Sequence, residues 1–157
     1  MPVALPARII SGGQTGVDRA ALDAALALGI PCGGHVPLGR LAEDGRIPEL
    51  YPVTECSIVD YPARTELNVV CSDATLILCV GEPSGGTRLT VELCRRHGKP
   101  LRVVRLEPPE AAVAQVRAFL DEARPRVLNV AGPRESSRPG IHALALAVLR
   151  KVLQTSR

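Results

Sequence analysis

Three glycine-containing segments carry the residue types that could bind an anion. They are Ser11–Asp18 (SGGQTGVD), Gly81–Thr87 (GEPSGGT) and Gly132–Gly140 (GPRESSRPG). Glycine lets the backbone approach a ligand oxygen closely, and hydroxyl groups in the segments add hydrogen-bond donors. Each segment precedes a stretch with helical spacing, where the first N–H groups are unpaired and the helix dipole favours negative charge. The predicted chemistry is the binding of a phosphate or a similar oxyanion. The hydroxyl donors are those of Thr15, Ser84, Thr87 and Ser136.

None of the three segments matches a standard nucleotide signature. The first is not G-x-G-x-x-G, and the first two are not G-x-x-x-x-G-K-[ST]. Any one of them alone is equally well explained as a tight turn. The combination favours a shared ligand site, because open α/β sheets bind their ligands beyond the carboxyl ends of the strands.

The elements that would position these segments alternate between strand and helix. Continuous apolar runs such as ATLILCV are typical of strands in a parallel sheet that is covered on both faces. The predicted strands are Ala7–Ile10, Ala74–Val80, Leu101–Leu106 and Val127–Ala131. The predicted helices are Val17–Leu28, Pro62–Cys71, Arg88–His97, Pro109–Ala123 and Ile141–Leu153. This alternation predicts an α/β, Rossmann-like doubly wound sheet, mainly parallel, within a single domain over residues 1–157.

Residues 31–61 show no sustained periodicity and are rich in proline and glycine. A loop of this length inside a compact domain is usually either functional or disordered. Because it contains Ile47, Leu50 and Tyr51, we expect an ordered, lid-like region. The charged side chains of this region would either contact the ligand or form a salt-linked loop. These residues are Arg40, Glu43, Asp44 and Arg46.

Composition argues against several classes of function. The 157 residues are 46% hydrophobic and 22% charged, which is ordinary globular usage. Aromatic residues make up only 2% and the formal net charge is +3, which disfavours a base-stacking nucleic-acid surface. No apolar run is long enough to span a bilayer and no signal peptide is recognised, so we expect no membrane partner.

The five cysteines are odd in number and contain no C-x-x-C pair. This pattern favours free thiols in a reducing compartment, and therefore a cytoplasmic protein. Cys94 and His97 are three residues apart on a predicted helix, but no second pair completes a metal site. No structural metal is expected.

The combined motifs resemble the family named for a molybdenum cofactor carrier. This family lies within the Rossmann-like, lysine-decarboxylase-like group (LOG/SLOG) that includes the "lonely guy" phosphoribohydrolases. The resemblance covers the chain from about Ile9 to Ile141. The segments that carry it are GGQTGVDRAALDAAL (12–26), GRLAEDGRIP (39–48), RTELNV (64–69), SDATLIL (72–78), SGGTRLT (84–90) and NVAGPRES (129–136).

The resemblance implies a protein that binds a phosphorylated pterin or a nucleotide, usually as an oligomer. Arg64 and Asn68 are four residues apart and would share one helix face, although a solvated face is an equally good interpretation. The implied binding residues are Gly12, Gly13, Gln14, Thr15, Gly16, Asp18, Arg64, Asn68, Ser84, Gly85, Gly86, Thr87, Gly132, Arg134, Glu135 and Ser136.

Two functions remain open at this point. The first is a carrier for a molybdenum cofactor-like pterin or a nucleotide, which needs no catalytic group. The second is a nucleotide 5'-monophosphate phosphoribohydrolase, which needs carboxylates near the N-glycosidic bond. Glu92 follows Thr87 by five residues rather than the three found in those relatives, so Glu92, Glu66 and Glu135 are only weak catalytic candidates.

The last predicted helix, Ile141–Leu153, is apolar on nearly all sides. A helix of this kind is either enclosed in the core or buried against another subunit. We therefore expect a homo-oligomer.

Overall fold

The computed structural model describes residues 3–57 and 61–154. In chain order, the strands are β1 (Arg8–Ile10), β2 (Cys32–Gly33), β3 (His35–Val36), β4 (Leu41–Ala42), β5 (Gly45–Arg46), β6 (Thr54–Glu55), β7 (Ala74–Cys79), β8 (Leu101–Arg105) and β9 (Val127–Ala131). The helices are α1 (Val17–Leu28), α2 (Tyr61–Val70), α3 (Gly85–Arg96), α4 (Pro109–Ala123) and α5 (Ile141–Leu153).

Five of these strands form a parallel sheet in the order β2–β1–β9–β7–β8. Every residue of β7 is buried, as its unbroken apolar sequence predicts for a strand inside a covered parallel sheet. Ile77 of β7 pairs with Val103 of β8 on one side and with Ala131 of β9 on the other. The sheet therefore has β7 and β9 near its centre.

The strand order is that of a Rossmann fold with its chain order rotated. If β9 is counted first, followed by β1, β2, β7 and β8, the order across the sheet becomes 3-2-1-4-5. In this fold the strand order reverses between the first and fourth strands, which are β9 and β7 here. The crevice beyond the carboxyl ends of these two strands is the expected ligand site.

Helices cover both faces of the sheet. The helices α1, α4 and α5 pack on one face, where Leu76, Leu78 and Leu128 join the large apolar core. On the other face α2 packs on α3, and Val69, Leu93 and Cys94 form a smaller core. This arrangement confirms the predicted α/β doubly wound fold.

The apolar helix α5 lies within this architecture. It contacts α1 and α4, and its buried face includes Ile141, Val148 and Leu149. The partly buried Leu144 and Leu146 also pack against the same core. Packing inside the protomer thus accounts for the apolar sequence of α5, which is the first of the two interpretations of this helix.

Residues 31–57 are ordered, and Ile58–Asp60 lie outside the described residues. Ile47 and Tyr51 are buried, and the buried guanidinium of Arg40 donates hydrogen bonds to the carbonyls of Ile47, Pro48 and Tyr51 at 2.7–3.0 Å. Arg40 therefore holds the segment together from inside rather than contacting a ligand.

Helix α3 begins at Gly85, three residues earlier than the sequence predicts. Two adjacent glycines are poor helix formers, so the pattern of apolar residues placed the start at Arg88. The structure places Gly85 and Gly86 in the first helical turn, where glycine costs less because the N–H groups have no intrahelical partners.

Candidate functional site

A cavity of about 410 Å³ lies beyond the carboxyl ends of β1, β7 and β9, at the reversal of strand order. It is bordered by the first and third glycine-containing segments, by the start of α3 and by one face of α2. The predicted binding residues that line it are Gly12, Gln14, Asp18, Arg64, Asn68, Ser84, Gly85, Gly86, Thr87, Gly132 and Arg134. The predicted residues that do not line it are Gly13, Thr15, Gly16, Glu135 and Ser136.

The start of α3 presents free donors to this cavity. The backbone N–H groups of Gly85 and Gly86 donate no hydrogen bond within residues 3–57 and 61–154, whereas those of Thr87 and Arg88 both donate to the carbonyl of Ser84. A Cβ atom added at Gly85 or Gly86 would meet no atom within 4 Å. Two unpaired amides at the positive end of a helix, next to open space, form a suitable seat for an oxyanion.

The first segment does not offer its amides in this way. The N–H of Gly13 donates to Ser11 Oγ at 3.3 Å, that of Gln14 to Asp18 Oδ2 at 3.4 Å, and that of Thr15 to Gln14 Oε1 at 3.0 Å. The N–H of Val17 donates to the Pro133 carbonyl. These four amides are therefore used by side chains of the segment itself or by the third segment, so the first segment offers an anion fewer backbone donors than the sequence predicts.

The glycines of the first segment serve a different purpose. Gly16 has φ 80°, and a Cβ atom there would lie 2.3 Å from the Pro133 carbonyl oxygen. Gly12 lies against the side chain of Arg64, since a Cβ atom on Gly12 would lie 1.7 Å from Arg64 Nη1. These glycines allow the third segment and an arginine to approach the backbone closely.

Arg64 on α2 is the buried cation of the cavity. Arg64 is only 7% exposed. Its guanidinium carbon lies 4.8 Å from the centre of the Tyr61 ring, and its buried Nε has no hydrogen-bond acceptor. No hydrogen bond joins its guanidinium to any other described residue. A buried cation with unused donors has a strong need for an anionic partner.

Asp18 on α1 is the carboxylate of the cavity, and it is as deeply buried as Arg64, at 7% exposed. Burial raises the pKa of Asp18 to about 6, against the opposing effects of Arg64, of the Gln14 amide and of Arg19. Asp18 is therefore a perturbed titratable group in a cleft, which is a recognised mark of a functional site.

None of the three glutamates predicted as weak catalytic candidates lines the cavity. Glu66 Oε2 pairs with His97 Nε2 at 2.6 Å, and Glu92 pairs with Arg88 at 3.5 Å. Glu135 accepts hydrogen bonds from the N–H groups of Gly140 and His142, which lowers the pKa of its carboxyl and caps the start of α5. Among the described residues that line the cavity, Asp18 is the only carboxylate.

Several lining residues were missed by sequence reasoning, namely Tyr61, Thr65, Thr90, Asn129 and Ser137. Asn129 lies in the buried strand VLNVA, and a polar residue within an otherwise apolar strand was the available signal. Asn68 was predicted as a ligand contact. Its amide also holds the chain in place, because it accepts from the His35 N–H at 2.8 Å and donates to the His35 carbonyl at 3.0 Å.

The model of the circularly permutated YpsA SLOG family matches residues 9–153. The chain belongs to this family. The match confirms the resemblance drawn from the sequence.

The crystal structure of a "putative molybdenum carrier protein" from Syntrophus aciditrophicus SB is similar to this member of the permutated YpsA family. The two share 42% sequence identity over 99% of this chain and 98% of the other, with a TM-score of 0.92. No curated protein matches the chain at a significant level.

In this permutated YpsA protein, the region predicted as a lid braces the cavity from outside. Of its described residues, only Tyr61 lines the cavity. Asp44 pairs with Arg19 at 3.1 Å, and Glu43 accepts hydrogen bonds from Thr15 and from the N–H and hydroxyl of Ser136. The Ser136 and Thr15 hydroxyls lower the pKa of Glu43. Glu43 thus ties the first segment to the third.

No group of three or more His, Cys, Asp or Glu side chains within the described ranges could hold a metal ion. Cys94 is buried in the smaller core, while His97 faces Glu66. All five cysteines are free thiols. None of the helices that the structure describes is long and apolar enough to cross a membrane.

Proposed function

We propose that this protein binds a phosphorylated small molecule and acts as its carrier. The proposal rests on one observation, which is that the unpaired Gly85 and Gly86 amides and the buried Arg64 guanidinium line a single cavity. Both groups are hydrogen-bond donors that favour a negatively charged ligand, and neither donates to another described residue. The cavity is concave and of a size typical of small-molecule sites.

The cargo class that fits this cavity is a phosphorylated pterin, such as a molybdenum cofactor-like compound, or a nucleotide. The phosphate would occupy the donors of α3 and Arg64. The remaining lining, which includes Val130, Ala131 and Pro133, is apolar enough to hold a ring. The similar protein from Syntrophus aciditrophicus is described as a putative molybdenum carrier protein, and this supports a carrier role for the present chain.

Native mass spectrometry of the freshly purified protein is the direct test. We expect a co-purified molecule with a phosphate group, released on denaturation. Calorimetric titration with matched pairs of ligands, a nucleoside monophosphate and its nucleoside, then measures the contribution of the phosphate.

An Arg64→Gln variant should bind the phosphorylated member at least tenfold more weakly and leave the affinity for the nucleoside nearly unchanged, because a charge-assisted hydrogen bond is lost. Arg88→Gln is the control, since Arg88 is exposed on α3 and does not line the cavity. Equal affinities of the wild-type protein for nucleoside and nucleotide would contradict the proposal.

A second candidate, N-glycosidic hydrolysis of a nucleoside monophosphate, is favoured by the position of Asp18. A carboxyl with a pKa of about 6 is suited to acid–base catalysis, and Asp18 is the described carboxylate that a bound nucleotide would meet. Incubation with nucleoside monophosphates, followed by chromatography for free base, separates the two candidates. If the wild-type protein releases free base and Asp18→Asn does not, the protein is an N-glycosidic hydrolase rather than a carrier.

A further inference from the structure

A carboxylate is an unexpected neighbour for an anion site. Asp18 and Arg64 are both more than nine-tenths buried, and both line the cavity. Both side chains lie close to Gly12. A Cβ atom added to Gly12 would lie 1.7 Å from Arg64 Nη1 and 2.9 Å from Asp18 Oδ2. The two side chains are close but form no salt bridge with each other. Because they are close, an oxyanion bound by Arg64 would have Asp18 as an immediate neighbour.

The hydrogen bonds of Asp18 leave it with spare capacity as an acceptor. Its Oδ2 accepts a long hydrogen bond from the Gln14 N–H at 3.4 Å, and the nearby Gly12 amide also stabilises the charged carboxylate, as its lowering effect on the pKa of Asp18 indicates. Arg19, the other cation near it, is already engaged with the Gly13 carbonyl at 3.1 Å and with Asp44. Asp18 lines the cavity and can accept a further hydrogen bond there, from a donor on a bound ligand.

We propose that Asp18 selects for an oxyanion that carries a proton. Arg64 donates to the unprotonated oxygens of the ligand, while the Asp18 carboxylate accepts a hydrogen bond from a P–O–H group. This inference rests on the proposed phosphate site and determines its specificity. Phosphate monoesters lose their second proton at about pH 6 and inorganic phosphate at about pH 7, so the proton-bearing form is available near neutral pH.

A fully ionised oxyanion lacks that proton. Its oxygens and those of the Asp18 carboxylate are all hydrogen-bond acceptors, so no hydrogen bond could form between them. The negative charges of the ligand and of Asp18 would also repel each other in a buried site. Sulfate has the shape of phosphate but carries no proton at neutral pH. The site should therefore discriminate between two ions of nearly the same size.

Calorimetric titrations with inorganic phosphate and with sulfate at pH 7 test this directly. We expect the wild-type protein to bind phosphate about tenfold or more tightly than sulfate, since an unsatisfied charged group costs about that much in affinity. In Asp18→Asn, the side-chain amide can donate to a sulfate oxygen, so the affinity for sulfate should rise and the preference should disappear. Asp121→Asn, a charge-matched change on the exposed side of α4 and outside the cavity, should keep the preference.

The wild-type protein alone provides a second measurement, which does not depend on how the variant folds. The charged groups that face Asp18 are Arg19 from α1 and Arg64 from α2, with the Tyr61 ring behind Arg64. Arginine stays protonated throughout, so protonation of Asp18 on acidification converts the acceptor into a donor. Sulfate affinity should then rise about tenfold between pH 7.5 and pH 5, more steeply than phosphate affinity.

The outcomes separate this inference from the proposed function. If phosphate and sulfate bind equally to the wild-type protein and Arg64→Gln weakens both, the anion site stands and the selectivity of Asp18 is overturned. If neither ion binds measurably and Arg64→Gln changes nothing, the anion site itself fails, and the inference fails with it.

Discussion

Asp18 is a side chain whose burial costs folding free energy at neutral pH. Its pKa in the folded protein is about 6, against 3.8 for an unperturbed aspartate. Between these values the folded state holds a proton that the unfolded state releases. The stability contributed by this group is therefore fully present below about pH 4, falls as pH rises through about 6, and is constant above that.

We expect Asp18→Asn to raise the free energy of unfolding at pH 7 by up to about 3 kcal/mol, because the amide never ionises. Near pH 4 the gain should largely vanish, since the native carboxyl is then protonated as well. Urea denaturation at the two pH values measures both quantities. A gain that is the same at both values would show that ionisation of Asp18 is not its cause.

Sequence reasoning at the residue level identified the glycines and hydroxyls near the cavity, but it did not show which of their hydrogen-bonding groups are free to bind a ligand. Gly12, Gln14 and Asp18 were assigned to one anion-binding loop. Some of their hydrogen-bonding groups pair within the loop, as in the bond from Gln14 N–H to Asp18 Oδ2. Which amides remain free depends on side-chain geometry and on contacts with distant segments, such as Val17 N–H with the Pro133 carbonyl. No local sequence pattern records these contacts.

At the scale of elements, α3 is the helix whose start serves the cavity. Of the three helix starts predicted to bind an anion, those of α1 and α5 are occupied, the first by the Asp18 and Pro133 acceptors and the second by Glu135. The start of α3 keeps free amides because Ser84, at its N-cap, makes no side-chain cap hydrogen bond. When no side chain caps a helix start, its first N–H groups can donate hydrogen bonds to a ligand.

The substitution Gly86→Ala tests this role of α3. Gly86 has no left-handed φ, and a Cβ atom there meets nothing within 4 Å, so the change should raise the free energy of unfolding by about 0.5 kcal/mol through helix propensity. The added methyl group takes the space beside the amide, and phosphate affinity should fall about tenfold. Thermal unfolding and calorimetric titration report the two effects separately.

Glu92→Ala is the matched control for that change, because Glu92 is on the same helix, is exposed and does not line the cavity. Its phosphate affinity should equal that of the wild-type protein. If Gly86→Ala binds phosphate as tightly as Glu92→Ala and the wild-type protein do, the start of α3 is not part of the proposed site.

Element types were predictable because the chain is strongly patterned. The bounds of α4, β9 and α5 agree with the sequence prediction, since each is an apolar run or an amphipathic stretch closed by proline, glycine or a turn. The short strands β2 to β6 were not predicted, although β2 is an edge strand of the main sheet. Each has two residues, and each forms through contacts with a partner segment rather than through local propensity.

At the scale of the whole molecule, the fold class followed from the alternation of strands and helices, but the strand order did not. Sequence pattern gives no direct information on which strand lies beside which. The homo-oligomer stays a prediction, and α5 no longer supports it, because α1 and α4 already cover that helix. Sedimentation at micromolar concentration tests it, and a monomer would contradict it.

The rotated strand order has a consequence for biosynthesis. Strand β9 is the only link between the pair β1–β2 and the pair β7–β8 in the described sheet, and it is also the last of these strands to leave the ribosome. Until Val127–Ala131 emerges, the nascent polypeptide carries two half-sheets, each with an open edge that invites wrong pairing. The wall of the cavity is also incomplete until then, because Asn129, Val130 and Ala131 of this strand line it, so a small molecule meets the whole site only after β9 has been synthesised.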